Sequence, residues 1–150
     1  MRINGVVTLW GPQIQAAVTI DDLAIRNVLL WFLIDTGSTL TRLSDKDWRK
    51  ELALDPAMLR SLGDAAPIIT ASGSIPQWAI PFRTKLTFRG SHDELYTEDF
   101  PQMRVIRYED PIPEEQRKKL EAVPSILGRD VITKFKMTLT HKKVMFERGR

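Results

Sequence analysis

The 150-residue chain is long enough for one domain with a core of ordinary size, and 43% hydrophobic with 27% charged residues is a globular balance rather than a disordered or fibrous one. A net charge of +3, with no aromatic-basic repeat and no basic run longer than Arg117-Lys118-Lys119, gives no reason to expect nucleic acid as a partner. The absence of Cys excludes a disulfide framework, a thiol nucleophile and a thiolate metal site, and the two His, His92 and His141, lack metal-ligand spacing. No metal and no cofactor is expected.

In chain order, Val6-Val7-Thr8-Leu9-Trp10 and residues 14–20 read as a hairpin broken at Gly11-Pro12. Asp21-Asp22 and Arg26-Asn27 then punctuate the chain before Val28-Leu29-Leu30-Trp31-Phe32-Leu33, its most apolar run and a predicted interior strand. That run is far short of the roughly 20 residues a membrane span needs, and the N-terminus lacks an apolar signal core. The expectation is therefore a cytoplasmic protein without a membrane partner. The strand delivers a lone carboxylate, Asp35, onto a polar loop. An acid there needs donors or a proton, which Thr36, Gly37 and Ser38 can supply as backbone N–H groups and hydroxyls. Gly37 can take positive φ and turn the backbone beneath the acid. Taken alone, Asp35 reads more readily as a helix cap or an ordinary loop acid than as a catalytic group.

Residues 44–52 predict a short helix with Ser44 as N-cap and acids in the first turn, and residues 56–62 a second one ending at Gly63. Residues 68–80 have β-rich ends around the small-residue centre Thr70-Ala71-Ser72-Gly73-Ser74. A hairpin with such a tip and an apolar stem can close over a bound chain, although Pro76 removes one ladder donor near the tip. Residues 82–89 alternate as a strand, Gly90-Ser91-His92-Asp93 turns it, and residues 95–100 and 103–107 supply further strands. From 109 to 123 Pro and charge mark an exposed insertion with a short helix at 114–120. The chain re-enters the core at Ser125, forms a helix from about Asp130, which is placed to cap it, and ends in two strands over 135–146 with a turn near His141-Lys142. Lys134, Lys136, Lys142, Lys143, Arg148 and Arg150 alternate with apolar residues as the wet face of a strand. The Trp at 10, 31, 48 and 78 read as core or half-buried packing, with Trp78 close to the hairpin stem. No glycine pattern of a nucleophile elbow accompanies either His.

Leu33-Ile34-Asp35-Thr36-Gly37-Ser38-Thr39 resembles the hydrophobic-hydrophobic-Asp-Thr-Gly-Ser/Ala signature of aspartic proteases. Far downstream, Pro124-Ser125-Ile126-Leu127-Gly128-Arg129-Asp130-Val131-Ile132 is similar to the Ile-Leu-Gly-Arg-Asp/Asn segment of the retropepsins, the single-domain, retroviral-type members of that class. Both segments occur once and in family order, and Thr-Ala-Ser-Gly-Ser resembles the flap region of bacterial members. The match in pattern runs from Val18 to Phe146.

The resemblance implies a mostly β, retropepsin-like acid protease fold over residues 1–150, a closed β-barrel with short helices and a flap hairpin. It implies an aspartic endopeptidase acting on peptide or protein substrates. Such chemistry needs two carboxylates close enough to share one proton, about 3 Å apart, so that one is a base toward water and the other an acid toward the departing amide. Only one Asp-Thr-Gly and no internal repeat occur, so the implied site is built by a homodimer with Asp35 from each subunit. By resemblance Thr36 bonds across the interface, Gly37 offers backbone acceptors to the peptide, and Ser38 donates to the Asp35 carboxylate, giving an acid-shifted pH optimum. Ala71, Ser72, Gly73, Ser74 and Ile75 would form the flap and touch substrate. Ile126, Leu127, Gly128 and Arg129 would support the loop from below, with Gly128 permitting close packing. The family's partner of Arg129, an Asp two residues past the catalytic Gly, is Thr39 here, so that ion pair is missing. The terminal strands would join an intersubunit sheet. The alternative is a retropepsin-fold dimerisation or peptide-binding module with little or no turnover.

Overall fold

The computed structural model describes residues 1–62, 64–70, 73–108 and 113–149. Alternation of side chains builds the centre of the sheet from β1 (Arg2–Thr8), β2 (Gly11–Ile20) and β3 (Ile25–Ile34). Ile14, Ala16, Val18 and Ile20 of β2 and Leu30, Phe32 and Ile34 of β3 point inward and are buried. The turn between β1 and β2 is Leu9-Trp10, because Thr8 already pairs with Gly11. Gly11 and Pro12 thus open β2 rather than break the chain, and Gly11 takes φ +117°, which L side chains rarely adopt, at the exit of the two-residue loop.

β3 is interior in its pairing, antiparallel to β2 and parallel to β10 (Ser125–Leu127). It is not interior on both faces, since Leu29 and Trp31 remain 61% and 39% exposed. Unbroken apolar sequence therefore marks a one-sided strand here, with an apolar outer face. Trp10 is likewise exposed, against the expectation of packing, whereas Trp48 and Trp78 are buried and meet edge to face with centroids 5.7 Å apart.

The remaining strands are β4 (Arg42–Leu43), β5 (Asp64–Thr70), β6 (Gly73–Ile80), β7 (Thr84–Arg89), β8 (Leu95–Phe100), β9 (Met103–Ile106), β11 (Lys136–Leu139) and β12 (Lys143–Glu147). Among the described residues they form one twelve-stranded sheet, ordered β11-β12-β1-β2-β3-β10-β4-β9-β6-β5, with β7 and β8 branching from β2. The protein is thus mostly β, but the expected closed barrel is absent. One edge of β2 is divided between β1, which takes residues 11–13, and β7, which takes residues 17–19. The sheet branches at that edge, and its end strands β11 and β5 do not pair with each other.

The helices are short. Residues 45–51 are helical and end in a π turn, where Leu52 N donates to Asp47 O at 2.9 Å. Ser44 does not cap it through its side chain: it is buried, its N–H is spent on Ser125 Oγ, and its own Oγ meets no partner. α1 (Pro56–Ser61) is capped by Asp55, which accepts from Ala57 N at 2.8 Å; its predicted stop, Gly63, lies outside the described residues. α2 (Glu114–Leu120) is exposed as expected. α3 (Arg129–Ile132) starts from Gly128, and Asp130 does not cap it but reaches back to Thr41. No helix among the described residues is long and apolar enough to cross a membrane.

Candidate active site

Asp35 leaves the end of β3 and begins a loop that returns as β4. β10 lies between those two strands, parallel to β3 and antiparallel to β4, so the loop arches over its end. Asp35 N donates to Leu127 O at 3.1 Å and Arg129 N donates to Ser38 O at 2.9 Å, so the loop is anchored to the chain beneath it at both sides. A Cβ on Gly128 would stand 2.5 Å from the Leu40 carbonyl carbon, 2.7 Å from its oxygen and 2.9 Å from Thr41 N. A side chain there would force the backbone apart, so Gly128 lets β10 lie close beneath the loop. Leu127 is buried below and Ile126 half-buried at the floor.

Asp130 fastens the same crossing. Its carboxylate accepts from Thr41 N at 3.0 Å and from Thr41 Oγ1 at 2.7 Å, while Thr41 Oγ1 accepts from Gly128 N at 3.0 Å. Arg129 is exposed and donates from Nη2 to Thr39 Oγ1 at 3.2 Å, so the position that lacks the family's acid still supplies an acceptor.

Within the loop, Gly37 N donates to Asp35 Oδ1 at 2.9 Å and Ser38 N donates to Asp35 O at 3.1 Å. Gly37 does this without positive φ, which among the described glycines is confined to Gly11 and Gly73. The Ser38 hydroxyl does not donate to Asp35. It donates to Leu40 O at 3.0 Å and accepts a short bond from Arg42 Nη1, so the expected acid shift through Ser38 loses its basis. Thr36 and Gly37 are exposed at the loop's crest.

Arg42, which no local sequence signal marks, joins this loop to the hairpin above it. The residue is only 8% exposed. Its Nη1 also donates to Leu40 O at 3.1 Å, and its Nε donates to Oε1 of the buried Gln77 at 3.3 Å. Gln77 Nε2 in turn donates to Ala66 O at 2.6 Å, which carries the link across the β5–β6 hairpin. Burial pushes the Arg42 guanidinium below its ordinary value and nearby Arg104 adds to that, while the Asp130 and Asp35 charges favour the cation. Sequence reasoning missed Arg42 because its partners lie on loop and hairpin positions that only the fold brings together.

The predicted hairpin is β5–β6. Gly73 and Ser74 are exposed near its end and Gly73 takes φ +127°; Ala71 and Ser72 lie outside the described residues. Pro76 costs less than expected, because the register shifts by one residue between Ala65 and Ile68 opposite it, and Pro76 O accepts from Arg107 N at 3.1 Å. Ile68, Ile69 and Ile75 of the hairpin share a cavity of about 440 Å³ with Asp35, Arg42 and Ile126. Gly37, Ser38, Thr39 and Ile106 complete it, whereas Thr36, Gly73 and Ser74 do not line it. A larger groove of about 590 Å³ on the outer side, beside Leu29, Trp31 and Leu95, is lined by no carboxylate and is bordered by one charged residue, Arg89.

The arrangement places one carboxylate, held by a backbone donor, on the floor of a cleft with an apolar roof. A single such acid can accept or donate one proton but cannot at once activate water and protonate a leaving amine. Neither the protein-family models nor the curated proteins match this chain.

Proposed function

We propose that this chain is the subunit of a homodimeric, retropepsin-like aspartic endopeptidase. The observation that carries the reading is the placement of Asp35 on a loop pinned over β10, facing a cavity roofed by the isoleucines of a hairpin. Ile69 is 79% exposed although it borders that cavity, which suits a residue that is covered when an extended peptide lies between hairpin and loop. Dimerisation is supported by the apolar surface at the same end of the sheet. Gln13 pairs with Leu33, which sets the Leu9-Trp10 turn beside the Asp35 loop, and both turn residues are exposed. Exposed Leu139 lies on the open edge strand β11.

In this mechanism the two Asp35 carboxyls share one proton. The ionised one takes a proton from water as the water oxygen bonds to the scissile carbonyl carbon, and the protonated one gives its proton toward the substrate. Collapse of the tetrahedral intermediate breaks the C–N bond and releases the amine with that proton. Asp35→Asn is expected to abolish hydrolysis of a casein-type protein substrate while leaving the thermal midpoint within a few degrees. Because the site is shared, specific activity should also fall on dilution in step with loss of the dimer measured by ultracentrifugation. Full activity in the Asp35→Asn protein would refute the reading. The binding-module alternative draws on Arg129 facing a hydroxyl where the family has an acid; it predicts peptide binding without turnover.

A further inference from the structure

Arg42 is the one feature of the cleft that the proposed chemistry leaves unused. Three of its contacts are structural: Nη1 to Ser38 Oγ and Leu40 O, and Nε to Gln77 Oε1. Its Nη2 meets no acceptor among the described residues and is not among the buried atoms left without a partner, and Arg42 is one of the residues that line the cavity. Ile68, Ile69, Ile75 and Ile106 give the wall its apolar part, opposite the loop residues Asp35, Ser38 and Thr39. A guanidinium stripped of most of its water, with one donor edge unspent at the wall of a cleft, is matched best by a carboxylate, because a charge-assisted bond replaces the hydration it has lost. Fixed bonds on the other two nitrogens hold that edge in place beforehand, so little ordering is required of it on binding.

We infer that Arg42 is a specificity-determining residue, and that the cleft selects peptides carrying an Asp or Glu side chain in the subsite beside its Nη2. This rests on the endopeptidase reading above and names the substrate class of that same site. The nearby charges set the direction. Asp35 would repel a second carboxylate, so the acidic side chain must turn from the reacting bond toward Arg42; Asp130 also acts on Arg42 but is engaged by Thr41, and Arg104 adds positive charge nearby.

The test uses peptide pairs that differ only as Glu against Gln or Asp against Asn, moved stepwise along a cleavable sequence found by library screening. At one position the wild type should cleave the acidic member about tenfold faster in kcat/KM. Arg42→Met should abolish that ratio and Arg42→Lys should keep part of it, with folding of each checked by circular dichroism. The same pairs are titrated by fluorescence anisotropy against Asp35→Asn, which separates the two claims. Asp35-dependent cleavage with equal rates for every pair would overturn the Arg42 assignment and leave the enzyme standing. Charge-selective binding that Arg42→Met removes, without cleavage in the wild type, would support the assignment and defeat the enzyme. A wild type that neither cleaves nor binds any pair would overturn both. The wild-type preference needs no variant, so it decides the matter even where the substitutions unfold.

Discussion

Substituting Gly128 by Ala tests the crossing that holds the candidate site. Its φ of −94° and ψ of −179° are open to alanine, so any cost is steric rather than conformational. On conformational grounds alone Gly→Ala should gain about 0.4–1 kcal/mol, by restricting the unfolded chain. Against this, the new Cβ would fall 2.5 to 2.9 Å from three backbone atoms of Leu40 and Thr41, which cannot swing aside as a side chain would. Overpacking of this kind costs about 1–3 kcal/mol. Moving the strands apart also weakens the Gly128 N to Thr41 Oγ1 bond, worth about 1 kcal/mol. The net expectation is a loss of about 1–3.5 kcal/mol, or a fall of about 0.5–2 M in the urea midpoint for a slope of about 2 kcal/mol/M. Equilibrium urea unfolding followed by tryptophan fluorescence measures it. Gly149→Ala, where a Cβ meets nothing within 4 Å, is the control and should change stability by less than about 0.5 kcal/mol. A Gly128→Ala protein as stable as the parent would refute the close approach of β10 to the loop.

Ser125→Ala should cost about 2–3 kcal/mol in the same assay, because its buried hydroxyl donates to Asp47 Oδ2 at 2.6 Å and accepts from Ser44 N at 2.9 Å. Loss of the charge-assisted bond leaves Asp47 with Lys46 as its remaining side-chain partner, and Asp47→Asn should couple to Ser125→Ala in a double-mutant cycle. At alkaline pH, the Tyr96 phenol, desolvated and donating to Glu98, is pushed up to about 12 from 10.0. A raised acid favours the protonated fold, so its stabilisation is intact below pH 10 and is lost as pH climbs from 10 toward about 12. Ultraviolet titration of tyrosinate, with Tyr96→Phe to separate it from Tyr108, should show this late ionisation; a Tyr96 transition at the free value would contradict the packing of the ring.

Elements set by local pattern were legible in the sequence: the β3 run, the alternating β7, the insertion helix at Glu114–Leu120 and the final pair β11 and β12. The close approach at Gly128 was expected only through the resemblance of its segment to the retropepsin pattern, not from the residues around it. What escaped was everything decided by a partner distant in sequence. Ser38 could donate to Asp35 or away from it, and Arg42 decides the matter by occupying its oxygen. Asp130 could cap its own helix, yet Thr41 offers it two donors at once. Ser44 has the composition of an N-cap, but burial beside Ser125 commits its backbone instead. The barrel failed for a similar reason, because closure depends on which strand claims each edge of β2 rather than on alternation within any one of them.

The same network explains why loop and hairpin should act as one body. Asp35 is fixed to β10 through Leu127, β10 to the loop's far side through Arg129 and Ser38, and Ser38 to the hairpin through Arg42 and Gln77. Apart from the Arg129 N–H, whose residue is exposed, each link uses a buried or half-buried donor whose loss leaves an unpaired polar group in apolar surroundings, which makes partial release costly. A hairpin tied at its base in this way can move at its outer end while Gln77 stays registered to the loop. Closure over a bound chain would therefore bend β5–β6 above the Ala65–Ile68 irregularity, where the ladder is already interrupted, rather than hinge the whole hairpin from the sheet.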